Sequence, residues 1–105
     1  MSNKVAFKMK LKPGHVDEYK RRHDALWPEL KELFAQNGIT DYTIHFDPET
    51  NLLFGIHSSD GRQGAQDLGT NPVVQKWWAF MADIMETNND NSPVTIPLQE
   101  VFYLK

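Results

Sequence analysis

The chain has 105 residues and no cysteine among them. Disulfides, thiolate metal sites and thiol catalysis are therefore excluded. No apolar run approaches the roughly 20 residues of a membrane span, and the N-terminus lacks the long apolar core of a signal peptide. The expectation is a soluble cytoplasmic protein with no membrane partner. Positive charge is not in excess either. Lys and Arg number 11 against 14 Asp and Glu, for a formal net charge of -3, so no global basic field attracts nucleic acid. The run Lys20-Arg21-Arg22 lies beside Asp17, Glu18 and Asp24 and reads as a solvated helix face. A Gly-rich phosphate loop, a nucleophile elbow and a dinucleotide fingerprint are all absent. No two histidines stand four apart as in a helical zinc site. Asn89-Asp90-Asn91 lacks the calcium-loop pattern and its terminal Glu, and reads as a turn. No metal and no cofactor are expected, which leaves proton transfer and positioning as the available chemistry.

What the chain does contain is enough for one domain, residues 1–105. A domain of this size buries roughly two-thirds of its unfolded surface. That supports one core but not a deep, fully enclosed cavity, so a useful pocket calls for an open barrel or a second subunit. Lys4 to Leu11 alternates, with Val5, Phe7, Met9 and Leu11 on one side and Ala6, Lys8 and Lys10 on the other, the period of a half-buried strand. Lys12-Pro13-Gly14 ends it. A helix is expected from about His15 to Asn37, bent or restarted near Trp27 because Pro28 has no N–H and crowds the carbonyl four residues back. Gly38 is the expected left-handed stop. Asp41 to Phe46 and Asn51 to His57 read as an antiparallel hairpin around the turn Asp47-Pro48-Glu49-Thr50. Ser58 to Gly69 reads as loop or one weak helical turn. Asn71 then caps a helix with Pro72 in its first position, carrying Val74, Trp77, Trp78, Met81, Ile84 and Met85 in a broad stripe that ends between Met85 and Asn88. Leu98 to Leu104 is expected to be the fourth strand.

Strand, helix, strand, strand, helix, strand is the order of a ferredoxin-like βαββαβ subunit, an α+β fold with a four-stranded antiparallel sheet and two helices on one face. The other sheet face is apolar too, whether through Leu52 with Phe54 or through Leu53. A second copy of the sheet could cover it, so a homodimer packed sheet to sheet, a dimeric α/β barrel, is expected.

Of the four histidines, His23 alone shares a helix face with other pocket-like residues. Tyr19 lies four residues before it and Trp27 four after. A titratable ring, a phenol and an indole beside a break in the helix suit a small-molecule pocket, and they equally suit the buried stripe of an amphipathic helix. Trp77 and Trp78 point about 100° apart on their helix, which suits one packing in the core while the other reaches the rim of a groove, where an indole face fits the C–H faces of a sugar; it equally suits both as core or dimer-interface residues. Tyr42 shares its strand face with Ile44 and Phe46, and meets Tyr19 and His23 if that face turns toward the helices.

Several segments together resemble one family. Tyr19-Lys-Arg-Arg-His23, Leu26-Trp27-Pro28-Glu29-Leu30, Asp41-Tyr42, Asn51-Leu52-Leu53-Phe54, Lys76-Trp77-Trp78, Asn91-Ser92-Pro93-Val94 and Glu100-Val101-Phe102-Tyr103 are similar, in order and separation, to the L-rhamnose mutarotases. The resemblance covers nearly the whole chain. It implies a ferredoxin-like subunit forming a homodimer without metal or cofactor. It implies interconversion of the α and β anomers of L-rhamnose or a related 6-deoxy sugar. It also implies His23 as proton donor, with Tyr19, Tyr42, Trp77 and Trp78 holding the sugar. The sequence departs from the family between His57 and Gly69, where relatives often carry a more helical stretch with an aromatic and this chain has Gly64 and Gly69. Two other readings of the same scaffold are a cofactor-independent monooxygenase of the dimeric α/β-barrel type and a non-catalytic sugar-binding module.

Overall fold

The structure is a computed structural model that describes residues 3–62 and 64–105. Its sheet holds four antiparallel strands: β1 (Lys4–Lys10), β2 (Thr40–Asp47), β3 (Leu52–Ser58) and β4 (Thr95–Pro97), in the order β2-β3-β1-β4. This is the ferredoxin-like arrangement expected from the element order. Three helices accompany the sheet: α1 (Val16–Asp24), α2 (Pro28–Gln36) and α3 (Pro72–Met81).

The expected two helices become three because Pro28 does more than bend its helix. Trp27 adopts an extended conformation, φ -59° and ψ 132°, as the residue before a proline prefers. Pro28 then sits at the start of α2, where its missing N–H costs nothing. α1 has no side-chain cap, but it carries Asp17 and Glu18 in its first turn and Arg21, Arg22 and His23 in its last, the charge order that suits its dipole. Arg22 fastens α1 to the end of α3. Its guanidinium donates to both Asp83 carboxylate oxygens, at 2.8 and 3.1 Å, and to the Phe80 carbonyl at 2.8 Å. α3 begins as expected, with the Asn71 side chain accepting from the Val73 N–H at 2.9 Å and Pro72 following. It stops at Met81, short of the expected Met85, although Ile84 and Met85 are still buried.

The inner sheet face carries Phe7 and Met9 from β1 and Leu53, Gly55 and His57 from β3, with Tyr42, Ile44 and Phe46 from β2 packed beside them. Phe7 pairs with Gly55 across the β1–β3 ladder. A Cβ at position 55 would lie 2.6 Å from the Phe7 ring, so the ring lies where any other side chain would stand. The outer face shows Leu52, Phe54 and Ile56, which decides between the two alternatives for that face.

The fourth strand is not at Leu98–Leu104. It is Thr95–Pro97, paired with Phe7, Lys8 and Met9 of β1. The Leu98 N–H still reaches the Ala6 carbonyl at 2.9 Å, but β1 begins only two residues before Ala6 and offers little further edge. Beyond Leu98 the chain forms no strand, and Val101, Phe102 and Leu104 are 89%, 77% and 80% exposed.

Replacing Gly55 by alanine is expected to destabilise the fold by about 1–3 kcal/mol through overpacking against Phe7. Urea unfolding checks this as a lower midpoint at unchanged slope, and Phe7→Leu in the same chain should recover part of the loss.

Candidate functional site

A cleft of about 910 Å³ opens between the helices and the inner sheet face. That is within the range of small-molecule pockets, roughly 300–1,000 Å³, and one subunit forms it without a second. Tyr19, His23, Tyr42, Trp77 and Trp78 all line it, so the five residues singled out in the sequence share one cavity. Trp27 does not line it. It packs behind, its ring edge-on to Trp77 at 5.1 Å and 5.6 Å from Phe80, because the chain leaves the helix before reaching it.

His23 is half-buried. Its Nδ1 lies 3.0 Å from the Tyr19 carbonyl oxygen. A carbonyl only accepts, so Nδ1 carries the proton and donates it, and in the neutral ring Nε2 is left with a free lone pair. The imidazole is stacked on the Tyr19 ring at 4.2 Å, 26° from parallel, and meets the Trp77 ring edge-on at 5.3 Å. Burial pushes its pKa below the ordinary value, outweighing the bond to the Tyr19 carbonyl and the charge of Asp24, which pull the other way. The ring is therefore neutral at pH 7 and available as a base.

Tyr19 is 7% exposed. Burial, with Tyr42 nearby, pushes its pKa up, and burial does the same to Tyr42, partly offset by a hydrogen bond from the Gln66 carboxamide. Both phenols stay protonated and serve as neutral hydrogen-bonding groups. Tyr42 is half-buried, its ring between Phe7 at 6.2 Å, Phe34 at 5.9 Å and His57 at 5.1 Å. The Asp41 carboxylate at the rim pairs with Lys4 at 3.3 Å, and Asp24 is held by Lys20 at 2.9 Å. Both aspartates are exposed.

The two adjacent indoles divide as expected. Trp77 is 8% exposed and packs among His23, Trp27 and Phe80. Trp78 is half-buried and its ring lies over Gly69, where a Cβ would come within 2.7 Å of it. Gly69 thus makes room for an indole at the cavity edge.

Sequence reasoning missed two residues. His57 was read only as the end of a strand, yet it is fully buried. Its Nδ1 donates to the Ser58 carbonyl at 2.9 Å and its Nε2 accepts from the Ala65 N–H at 3.1 Å. Its parity with Leu53 and Gly55 was the available signal. Gln66 lies in the 3-10 turn Ala65–Asp67 and lines the cavity; nothing in the sequence of that Gly-rich stretch pointed to it. Among the described residues no cluster of three or more His, Asp or Glu is arranged to hold a metal ion.

A model of the L-rhamnose mutarotase family matches residues 4–104. An L-rhamnose mutarotase of Bacteroides thetaiotaomicron is 60% identical over 99 residues, covering 94% of this chain and 95% of that protein. One from Sinorhizobium fredii is 55% identical over 101 residues, 96% of this chain and 97% of that protein. The crystal structure of an L-rhamnose mutarotase from Formosa agariphila matches with a TM-score of 0.91 at 55% identity, over 99% of this chain and 100% of that one. Rv0793 from Mycobacterium tuberculosis has the same fold, with a TM-score of 0.59 at 12% identity over 97% of each chain.

The depressed His23 pKa predicts that its ring protons titrate with a midpoint below about 6.5. NMR of the imidazole resonances checks this. The sign follows from burial: the unfolded chain takes up the proton first, so the contribution of this residue to stability is complete above about pH 6.5 and is lost as pH falls through the folded value.

Proposed function

The chain belongs to the L-rhamnose mutarotase family, and we propose that His23 is the group by which it exchanges the α and β anomers of L-rhamnose or a close 6-deoxy sugar. Membership makes it a carbohydrate isomerase. It lends nothing to the oxygenase or to the non-catalytic binding module.

Mutarotation breaks the bond between C1 and the ring oxygen and remakes it on the other face. The anomeric hydroxyl must lose a proton and the ring oxygen must gain one, which is general acid–base catalysis. The observation that carries the proposal is the neutral His23 ring with its Nδ1 proton committed to the Tyr19 carbonyl. Its Nε2 can take the proton of the anomeric hydroxyl as C1 becomes an aldehyde. The imidazolium so formed is the proton donor for the ring oxygen, which leaves from the same carbon and so lies within reach of the same nitrogen. Rotation about C1–C2 turns the aldehyde, and the reverse transfers close the ring on the opposite face. Atoms and charge balance over the cycle.

Tyr19 and Tyr42, kept neutral by burial, would hold sugar oxygens. Trp77 braces the imidazole edge-on, and Trp78 at the rim offers an indole to the sugar C–H face. Such a site uses neither metal nor cofactor.

The same proposal includes a homodimer of single ferredoxin-like domains in the cytoplasm. The supporting features are apolar surfaces: Ile96 at 51% exposed and Val101, Phe102 and Leu104 beyond it, next to the outer face with Phe54 and Ile56. A second sheet packed on that face, taking up the C-terminal segment, would close the barrel. No helix among the described residues is long and apolar enough to cross a membrane.

Magnetisation transfer between the anomeric protons of L-rhamnose should be faster with the protein than without it. His23→Ala should lose at least about a hundredfold of that acceleration, the low end for a general acid–base group. A variant as fast as the parent would remove His23 from the chemistry. Separately, a chain with both Phe102→Asp and Leu104→Asp should run as a monomer in analytical ultracentrifugation where the parent runs as a dimer.

A further inference from the structure

Gln66 stands in the cavity with more hydrogen-bonding capacity than the protein uses. Its carboxamide lines the same cleft as Tyr42, whose ring lies 5.1 Å from the His57 ring that anchors the neighbouring Ala65 N–H. Its Oε1 lies 3.3 Å from the Thr95 hydroxyl, but that hydroxyl also lies 2.9 Å from the Pro93 carbonyl and has one proton to give. The shorter bond claims it. A carboxamide has two N–H donors and two acceptor lone pairs, so a donor and an acceptor remain at a half-buried position that lines the cleft.

The position of this group is set by the turn that carries it. The Ala65 N–H donates to His57 Nε2 at 3.1 Å. The Gly64 N–H donates to Asp67 Oδ2 at 2.8 Å, and the Asp67 N–H to the Gly64 carbonyl at 3.0 Å. His57 is fully buried, so the turn is tied to the core of the sheet and its second residue is held over the cavity. The sheet wall beside it, Met9, Ile44, Phe46 and Leu53, offers no hydrogen bond. That wall suits the methyl group of a 6-deoxy sugar. The ring hydroxyls need polar partners, and Gln66 and Tyr42, both lining this cleft and both set beside His57, offer an amide and a phenol.

Resting on the mutarotase reading of this site, we propose that Gln66 determines sugar specificity, its carboxamide and the Tyr42 hydroxyl together binding one ring hydroxyl of the substrate. The discrimination arises because a sugar lacking or inverting that hydroxyl leaves these half-buried polar groups without its hydrogen bonds, which a site built to bond them penalises.

The test is anomer exchange measured by NMR over a range of concentrations, for L-rhamnose and for its analogues each lacking one ring hydroxyl. The wild type should lose about tenfold in kcat/KM for one of these analogues. In Gln66→Leu, KM for L-rhamnose should rise about tenfold while kcat stays within about twofold, and the penalty for that one analogue should vanish. Gln66→Asn, which keeps the amide but shortens its reach, covers the case in which Gln66→Leu melts early, and should show the same pattern in weaker form. Unchanged penalties in a folded variant overturn the proposal, as does a fall in kcat with KM and penalties unaltered. Failure of the mutarotase reading itself looks different: the wild type would then not accelerate exchange of any of these sugars.

Discussion

The hydrogen bond from His23 Nδ1 to the Tyr19 carbonyl is the constraint on which the site depends. It lies within one turn of α1, so it forms whenever that turn does. It settles the tautomer, and the tautomer settles which nitrogen is free for chemistry. It holds the imidazole flat against the Tyr19 ring, where Trp77 from α3 meets it edge-on. α1 has only nine residues and buries only Tyr19 among them. A helix so short and exposed is marginal by itself, and the Arg22 clamp onto Asp83 and the Phe80 carbonyl ties it to α3. The side chain of Arg22 is only 11% exposed and its guanidinium lies 4.7 Å over the Phe80 ring, while the Asp83 carboxylate stays 66% exposed to water.

Two histidines of the same chain serve opposite purposes because of where their nitrogens point. His57 has both ring nitrogens engaged, one to Ser58 and one to the Ala65 N–H. It is a fixed strut. His23 has one engaged and one free, and stands in a cleft. Glycine shapes the same cleft from below and from the side. Gly55 leaves space for the Phe7 ring that backs Tyr42, and Gly69 leaves space for the Trp78 ring at the rim. Between His57 and Gly69 the chain forms a tight turn, Ala65–Asp67, and that turn carries Gln66.

The alternation of apolar residues and the punctuation by Pro and Gly were enough to read β1, the β2–β3 hairpin and the starts of α2 and α3. Those are local effects: a strand period of two, a proline that begins a helix, a left-handed residue at Gly38 with φ +72°. The end of α3 was overestimated because Ile84 and Met85 keep the helical spacing. They are buried by the irregular chain after Met81 and by the bridge from Leu11 to Met85, not by another helical turn. The fourth strand was misplaced because Val101 and Tyr103 alternate with Phe102 as a strand would, whereas pairing also requires a partner edge. β1 supplies that edge to Thr95–Pro97.

By itself the sequence determined the residue types and spacings that make a cysteine-free α+β fold, put Tyr19 and His23 on one helical turn, and carried the family's motifs in order. Those properties need only the chain's own periodicity and neighbours within a few residues. The tertiary structure decided which neighbours from distant elements complete the site: Trp77 against His23, Trp78 over Gly69, and Gln66 with Tyr42. It also decided that His57 is a strut and that the last residues leave the sheet. Each of these depends on contacts between segments far apart in the chain, whose geometry is set by sheet register and packing and by no local signal.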